Sequence, residues 1–92
     1  MPIQHWKDYY TVMTSEGPVV LSVRYVNSTN LKWVGWPRFG SQKLMFVEFK
    51  DGSRYMYAGV SRQRAYACAQ AESSGSYLND KIKPYHEVLK LR

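Results

Sequence analysis

The segment KLMFVEFKDGSRYMYAGV, residues 43–60, limits the possible folds of this chain more than any other. Two runs rich in aromatic and β-branched residues flank Asp51-Gly52, a preferred pair for a two-residue hairpin loop. Such a loop predicts that Glu48 lies opposite Tyr55. Both faces of the hairpin are then hydrophobic: one carries Met45, Val47 and Met56, and the other Leu44, Phe46, Tyr55 and Tyr57. A hairpin in a single small domain needs one buried face, so the second face predicts a partner.

Two more strands are predicted before this hairpin. In VVLSVRYV, residues 19–26, β-branched residues dominate and alternate side chains fall on one face. The residues on that face are Val19, Leu21, Val23 and Tyr25. LKWVGW, residues 31–36, forms the next strand and ends at Pro37, and Gly35 within it indicates a bulge or a close backbone approach. The aromatic residues 6–13 fit either a short strand or an arm.

One main helix is predicted over residues 61–72. Ser61 is a suitable N-cap, the residues after it have high helix propensity, and Gly75 is a suitable stop. Residues 84–92 fit either a short helix that begins at Pro84 or a further strand. The sequence thus predicts an α+β fold: an antiparallel β-meander of about four strands, one main helix packed on one face, and a short C-terminal element.

Composition narrows the class of protein. A length of 92 residues predicts a single domain over 1–92, and a net charge of +6 favours anionic partners such as RNA or nucleotides. Eight tyrosines are many for this length, and surplus tyrosines often lie at interfaces. Cys68 is the only cysteine, so no intrachain disulfide forms and a reducing cytoplasm is expected. No signal sequence or apolar span is present, which predicts a cytoplasmic protein with no membrane partner.

From residue 26 onward the sequence resembles the KTSC domain, a small module at the C-terminus of some lysyl-tRNA synthetases and in stand-alone bacterial and viral proteins. The matching pieces are VNSTNLKWVGW, then LMFVEFKDGSRYMYAGV with its Tyr-x-Tyr, then SSGSYLNDKIK, in the family's order and spacing. The resemblance implies a β-meander with a helix, no known catalysis and a suggested role in RNA binding. Residues 26–86 then form the family-like core, and 1–25 form an N-terminal extension with an added strand.

The residues that most often carry catalysis or metals do not form a recognisable constellation. His5 and His86 are far apart in sequence, whereas a metal site needs three or four converging donors. Cys68 lies among alanines in the predicted helix, which indicates a small buried residue rather than a nucleophile. The sequence therefore predicts no enzyme, no metal site and no cofactor.

Three groups of residues favour ligand binding. Arg62 and Arg64 fall in the first helical turn, where the helix dipole disfavours cations unless an anion is close. The rings of Tyr-x-Tyr fit base stacking, packing under the helix or a subunit contact. SGSYLND either holds a phosphate or a base edge, or ties down a loop. The predicted ligand-binding residues are Arg24, Arg54, Tyr55, Tyr57, Arg62, Arg64, Tyr77, Asn79 and Lys81.

The function favoured by these features is a non-enzymatic module that binds a phosphate-bearing ligand, either RNA or a small nucleotide. A viral protein that sequesters a nucleotide signal is one form of this function. The alternative is a protein-interaction module or inhibitor that docks on a protein target through Trp33, Trp36 and Phe39. The apolar surface of the hairpin also predicts a homo-oligomer.

Overall fold

The computed structural model describes residues 7–92, so His5 and Trp6 lie outside the described part of the chain. The strands are β1 (Lys7–Thr14), β2 (Gly17–Tyr25), β3 (Leu31–Pro37), β4 (Leu44–Phe49), β5 (Arg54–Ala58) and β6 (Val88–Lys90). Between β5 and β6 lie α1 (Arg62–Gln70), α2 (Ser74–Tyr77) and a π-helical turn, Leu78–Ile82. The six strands form one antiparallel sheet in the order β1-β2-β3-β4-β5-β6. The predicted α+β meander is therefore confirmed in outline.

The sheet curls into a half-barrel with an inner and an outer side. The inner side buries one cluster, made of Val12, Leu21, Val23, Trp33 and Phe46. The ring centroid of Tyr10 in β1 lies 5.5 Å from that of Trp33 in β3, so strands that are not neighbours in the sheet contact each other across its inner side. Strand twist promotes this curl, and an irregular register between Leu31 and Trp33 adds to it.

The outer side of the sheet carries the helices. Small residues of α1 face the sheet, as the sequence predicts, because they allow a helix to lie close to the strands; they are Ala65, Cys68 and Ala69. They pack in a second cluster with Val34, Trp36 and Val47 of the sheet. No helix within residues 7–92 combines the length and the apolar character that spanning a bilayer requires.

The prediction of about four strands was wrong, because both ends of the chain add a strand. The residues that fit either a strand or an arm form β1, which pairs with β2 along its whole length. The C-terminal residues form β6, and the Leu91 N–H donates to the Arg54 carbonyl at 2.8 Å. Pro84 lies in the turn before β6 rather than at the start of a helix.

The predicted two-residue loop of the central hairpin was also wrong. The Phe49 N–H donates to the Ser53 carbonyl at 2.9 Å, so the loop has three residues, Lys50–Gly52. Gly52 has a φ of +94°, which places it at the left-handed position of a three-residue loop. Asp51 supports the turn, since its Oδ1 accepts from the Ser53 N–H at 3.0 Å and from the Ser53 hydroxyl at 2.7 Å.

The longer loop shifts the pairing of β4 with β5 by one residue, so that the side chains of β5 lie on the face of the sheet opposite the predicted one. Glu48 lies opposite Arg54 rather than Tyr55, and Met45 lies opposite Tyr57. Because a shift of one residue exchanges the two faces, the predicted sets were mixed incorrectly. Both tyrosines of Tyr-x-Tyr lie on the outer side with Met45 and Val47. The second apolar face that the sequence leaves unpaired is covered by β1 and β2, which close the inner cluster.

The start of the predicted helix is confirmed, and its end is corrected. The Ser61 hydroxyl accepts from the Arg64 N–H at 3.1 Å, as expected of an N-cap. The helix ends at Gln70 instead of residue 72, because Ala71 is extended. Gly75 does not stop a helix but lies within α2, which Ser73 caps by accepting from the Ser76 N–H at 3.2 Å.

Candidate nucleic-acid interface

The helices leave the outer side of β1 and β2 uncovered. α1 lies over β3, with fewer contacts to β4. Side chains alternate along a strand, so residues next to the buried Val12 and Leu21 point outward. Val20 and Ser22 are the neighbours of Leu21 in β2, so their side chains point outward. Tyr9 is paired with Ser22 and therefore presents its ring on the same outer surface. A face of the sheet is thus exposed beside α1.

Three arginines border this exposed face. The Arg24 Nη1 donates to the Tyr66 hydroxyl at 3.0 Å, and its Cζ lies 5.1 Å from the centroid of that ring. The Cζ of Arg38 lies 3.9 Å from the centroid of Tyr9. Arg62 donates through Nη2 to the carbonyl oxygens of Pro37 at 2.8 Å and Gly40 at 3.4 Å.

Exposed aromatic rings alternate with these arginines. Tyr9 is 54% exposed, Phe39 68% and Tyr66 40%. The guanidinium of Arg38 lies between two of them, with its Cζ 5.4 Å from the Phe39 ring centroid. We call this set the arginine–aromatic surface; it comprises Tyr9, Val20, Arg24, Arg38, Phe39, Arg62 and Tyr66.

No ion pair found among the described residues involves an arginine of this surface. None of its members is acidic, and α1 carries two arginines without a carboxylate. The ion pairs found across the described chain both involve Glu48, which lies elsewhere. A guanidinium has five N–H donors, so each arginine that stacks or donates once keeps donors for a further acceptor. The surface can therefore bind anionic oxygens while its rings contact flat groups.

Two of the predicted ligand-binding residues, Arg24 and Arg62, belong to this surface. The first-turn position of Arg62 and Arg64 is confirmed. The helix dipole disfavours a cation at this position. Two carbonyl oxygens, those of Pro37 and Gly40, compensate the charge of Arg62 instead of an anion. Arg64 is exposed on the opposite flank of α1, two residues further along the helix.

Arg54 has a structural partner on the inner side of the sheet. Its Nε donates to Glu48 Oε1 at 2.6 Å, and its Cζ lies 5.8 Å from the Trp33 ring centroid. The side chain of Glu48 is only 7% exposed, and Lys32 Nζ is its second cation, 3.7 Å from Oε2. Arg54 therefore neutralises a buried carboxylate and lies apart from Arg24 and Arg62.

Two of the three predicted interface residues are part of the hydrophobic core. Trp33 is 1% and Trp36 9% exposed, one in the inner and the other in the outer cluster. Burial in the core prevents both rings from anchoring a partner. Phe39, the third, lies on the exposed loop after β3.

The predicted motif SGSYLND has mainly a packing role. Tyr77 is partly buried against the outer cluster, and Leu78 and Ile82 belong to that cluster. Asn79 and Lys81 are exposed on the π-helical turn. None of the contacts that build the arginine–aromatic surface involves Tyr77, Asn79 or Lys81.

Tyr55 and Tyr57 pack on the outer side beneath the helical region, which agrees with one of the alternatives predicted for them. Tyr57 is 2% exposed, whereas Tyr55 is partly buried and contacts Phe49 edge to face. The register error had placed them on the other face. They do not form an open stacking platform with Arg62 and Arg64.

The cysteine and the histidine that could take part in catalysis are held in contacts within the fold. Cys68 is buried, as predicted, and burial raises the pKa of its thiol to about 12. His86 Nδ1 lies 2.9 Å from the Ala58 carbonyl oxygen. Within residues 7–92, no three side chains of His, Cys, Asp or Glu converge as metal ligands would. A cleft of about 490 Å³ is lined by both Lys43 and Glu16, so its charges are mixed.

Sequence reasoning missed Tyr9, Arg38 and Tyr66. One signal was available: Tyr66 follows Arg62 by four residues, a spacing that places both on the same flank of a helix. The proximity of Arg38 to Tyr9 depends on the pairing of β2 with both β1 and β3, which local sequence does not reveal.

Together the fold and the surface define a small antiparallel half-barrel domain with helices on its outer side and a basic, aromatic face beside them. The KTSC domain matches residues 27–86, so the chain belongs to the KTSC domain family, and the predicted resemblance is confirmed. A relative described as an uncharacterized protein from Stutzerimonas stutzeri strain A1501 is 31% identical over 61 residues, covering 66% of this chain and 83% of the relative. β1 and β2 precede the matched region.

Proposed function

We propose that this protein is a non-enzymatic module whose phosphate-bearing ligand is single-stranded RNA, bound on the arginine–aromatic surface. The observation that carries the proposal is the alternation of three guanidinium groups with three exposed rings. Proteins that bind single strands combine cationic side chains along the backbone with rings on which bases stack. An open surface suits a strand better than it suits a small nucleotide, which needs enclosing walls.

The charge of the surface favours an anionic ligand over a second copy of the chain. A two-fold dimer uses the same patch on both subunits, so it would bring Arg24, Arg38 and Arg62 of each copy together. Such juxtaposition of like charges is unfavourable. If the expected homo-oligomer forms, we therefore propose that it uses a different part of the molecule.

A salt titration of RNA affinity tests the proposal. If the three arginines neutralise three phosphates, the slope of log affinity against log salt is about −2 for a single strand. That slope corresponds to a loss of affinity of about 20-fold between 50 and 200 mM salt. Fluorescence anisotropy with a labelled twelve-nucleotide RNA of mixed sequence measures it.

Matched arginine variants locate the binding. Arg24→Gln combined with Arg38→Gln should weaken RNA binding and reduce the slope to about −0.7, because two phosphate contacts are lost. Arg64→Gln, a change of the same kind on the other flank of α1, should leave both values unchanged. Equal effects of the two variants would contradict the assignment of this surface.

The aromatic contribution has its own test. Phe39 is 68% exposed, so Phe39→Ala should alter stability little while removing a stacking ring. Base stacking on an aromatic side chain contributes roughly 1–3 kcal/mol, and we expect about tenfold weaker binding. Unchanged affinity would show that the rings have another purpose.

A protein target is the second candidate, favoured by the apolar residues on the same side of the molecule. Met13 is 68% and Val20 36% exposed, and neither offers a group that recognises a nucleotide. In that case Met13→Ser should abolish binding to the protein partner and leave RNA binding unaltered. We place either activity in the cytoplasm, since the single cysteine suits a reducing compartment.

A further inference from the structure

A second concavity lies on the outer side of the sheet, away from β1 and β2. It has a volume of about 290 Å³ and lies between the hairpin loop, the strands β5 and β6, and the residues after the π-helical turn. Its walls include the rings of Phe49 and Tyr55, with Tyr57 beside them and Lys83 at the rim. None of the contacts of the arginine–aromatic surface includes these residues.

The hydroxyl of Tyr57 is the feature that suggests a ligand. Tyr57 is 2% exposed, yet no hydrogen bond to its hydroxyl is found among the described residues. Among the described residues, every side-chain nitrogen or oxygen that is sealed from solvent has a hydrogen-bond partner. The hydroxyl therefore retains access to solvent, and Tyr57 is one of the residues that line the concavity. Because no partner among the described residues occupies this hydroxyl, it is available to donate to a ligand in the concavity.

The tyrosine is suited to donating a hydrogen bond. Burial, followed by the nearby Tyr55 and Cys68, raises the pKa of Tyr57 above its ordinary value. The phenol therefore keeps its proton under physiological conditions and presents an O–H donor. An acceptor on the ligand, such as a ring nitrogen or a carbonyl oxygen of a base, would satisfy it.

The walls suit a flat ring with an anionic group. Phe49 and Tyr55 lie 5.6 Å apart between ring centroids at an interplanar angle of 85°, which forms an apolar corner. Lys83 is exposed at the rim without an ion pair among the described residues, and Lys90 Nζ lies 6.0 Å from the Tyr55 ring centroid. Asp51 also lines the concavity; its carboxylate accepts from the Ser53 hydroxyl and would repel a phosphate. The phosphate would therefore lie towards Lys83.

We propose that this concavity binds one free mononucleotide, with the base against Phe49 and Tyr55, the Tyr57 hydroxyl donating to the base, and the phosphate beside Lys83. The volume of about 290 Å³ is close to the lower limit for small-molecule sites, which favours a single nucleotide over an oligonucleotide. The site is separate from the RNA surface and does not depend on it.

Isothermal titration calorimetry with AMP, GMP, CMP and UMP tests the site on the full chain. We expect saturable binding of one nucleotide per chain for at least one base, and weaker binding of the corresponding nucleoside because it lacks the phosphate. Absence of saturable binding by all four at millimolar concentration would overturn the proposal.

Two variants separate a ligand role from a structural one. Tyr57→Phe removes a hydroxyl that has no partner among residues 7–92, so the melting temperature should not fall, while nucleotide affinity should fall about fivefold. Lys83→Gln should weaken nucleotide binding about tenfold, and the matched change Lys81→Gln on the neighbouring turn should have no effect. Equal affinity of Tyr57→Phe and the unaltered protein would refute the assignment.

A third variant keeps the two proposals distinguishable. The Arg24→Gln and Arg38→Gln combination changes the RNA surface only, so its nucleotide affinity should equal that of the unaltered protein. Loss of nucleotide binding in this variant would contradict a separate site, whereas loss of RNA binding alone agrees with it.

Discussion

Replacing Arg54 by methionine should destabilise the protein more than replacing Glu48 by glutamine, although both changes break the same ion pair. The side chain of Glu48 is 7% exposed and that of Arg54 22%. Removing the arginine leaves a buried carboxylate whose remaining cation, Lys32, is half exposed and 3.7 Å away. Removing the carboxylate charge leaves a guanidinium that reaches water and can still donate to the glutamine oxygen.

The expected magnitudes differ accordingly. Breaking a buried ion pair by removing one partner costs roughly 3–5 kcal/mol, and the partial exposure of Arg54 together with Lys32 places Arg54→Met at about 3 kcal/mol. Glu48→Gln exchanges a charged for a neutral hydrogen bond, at a cost of about 1 kcal/mol. For a domain of this length, 3 kcal/mol lowers the melting temperature by about 10–20 °C.

Urea unfolding followed by tryptophan fluorescence measures both values, because Trp33 lies beside the pair. The double variant should be more stable than the sum of the two losses predicts, since the glutamine needs no cation. If Arg54→Met costs no more than Glu48→Gln, the argument that the carboxylate is the buried member of the pair is wrong.

The remaining predictions concern the glycines and the hairpin turn. Gly35→Ala should cost about 1–3 kcal/mol in chemical denaturation, because a Cβ there would lie 2.9 Å from Val23 Cγ1 and 3.1 Å from the Ser22 carbonyl oxygen. Gly75→Ala is its control and should be neutral or stabilising, since the added Cβ meets only Ser28 Oγ, at 3.5 Å. Hydrogen bonds from Ser53 lower the pKa of Asp51 in the folded state. The carboxylate therefore stabilises the turn fully above the unfolded pKa of 3.8, and this stabilisation is lost as the pH falls through the lower pKa of the folded state. Asp51→Asn should be less stable than the unaltered protein at pH 7 and equally stable at a pH below both pKa values. NMR of the turn amides would report the difference.

Features set by local rules could be predicted from the sequence. The alternation in β2 places Val19, Leu21, Val23 and Tyr25 on one face, and these residues do share the inner cluster. Ser61 caps α1 because a short hydroxyl before a helix satisfies an otherwise unpaired N–H. In both cases the determining interaction lies within a few residues along the chain.

Register could not be predicted in the same way. Asp-Gly serves a two-residue loop, but Gly52 at a positive φ equally ends a three-residue loop. The choice depends on which face of the hairpin is buried by which partner. That choice moved Tyr57 to the face of the sheet opposite the predicted one, where it lines a concavity, and it placed Arg54 opposite Glu48.

The candidate surface was beyond local reasoning for a related reason. Arg38 reaches Tyr9 only because β2 pairs with both β1 and β3, and Arg24 reaches Tyr66 only because α1 lies over β3. Each of these contacts joins residues that are more than twenty-five positions apart. Sequence reasoning identified Arg24 and Arg62, but it missed Arg38 and the rings of Tyr9 and Tyr66 that complete the surface.

The two proposed sites differ in how much they depend on residues outside the family match, and the fold explains why. The nucleotide pocket is built almost wholly from residues 27–86, whereas the arginine–aromatic surface takes Tyr9 and Arg24 from the added hairpin of β1 and β2.

That hairpin cannot be an independent appendage, because Leu21 and Val23 bury the inner face of Trp33 and Phe46. Alternation along a strand then requires its remaining side chains to point outward, beside α1. The same pairing that completes the hydrophobic core therefore creates the basic face. A family member without such a hairpin would retain the pocket, lack this face and need another cover for its inner core. RNA binding is thus expected to follow the hairpin, and nucleotide binding to follow the shared domain.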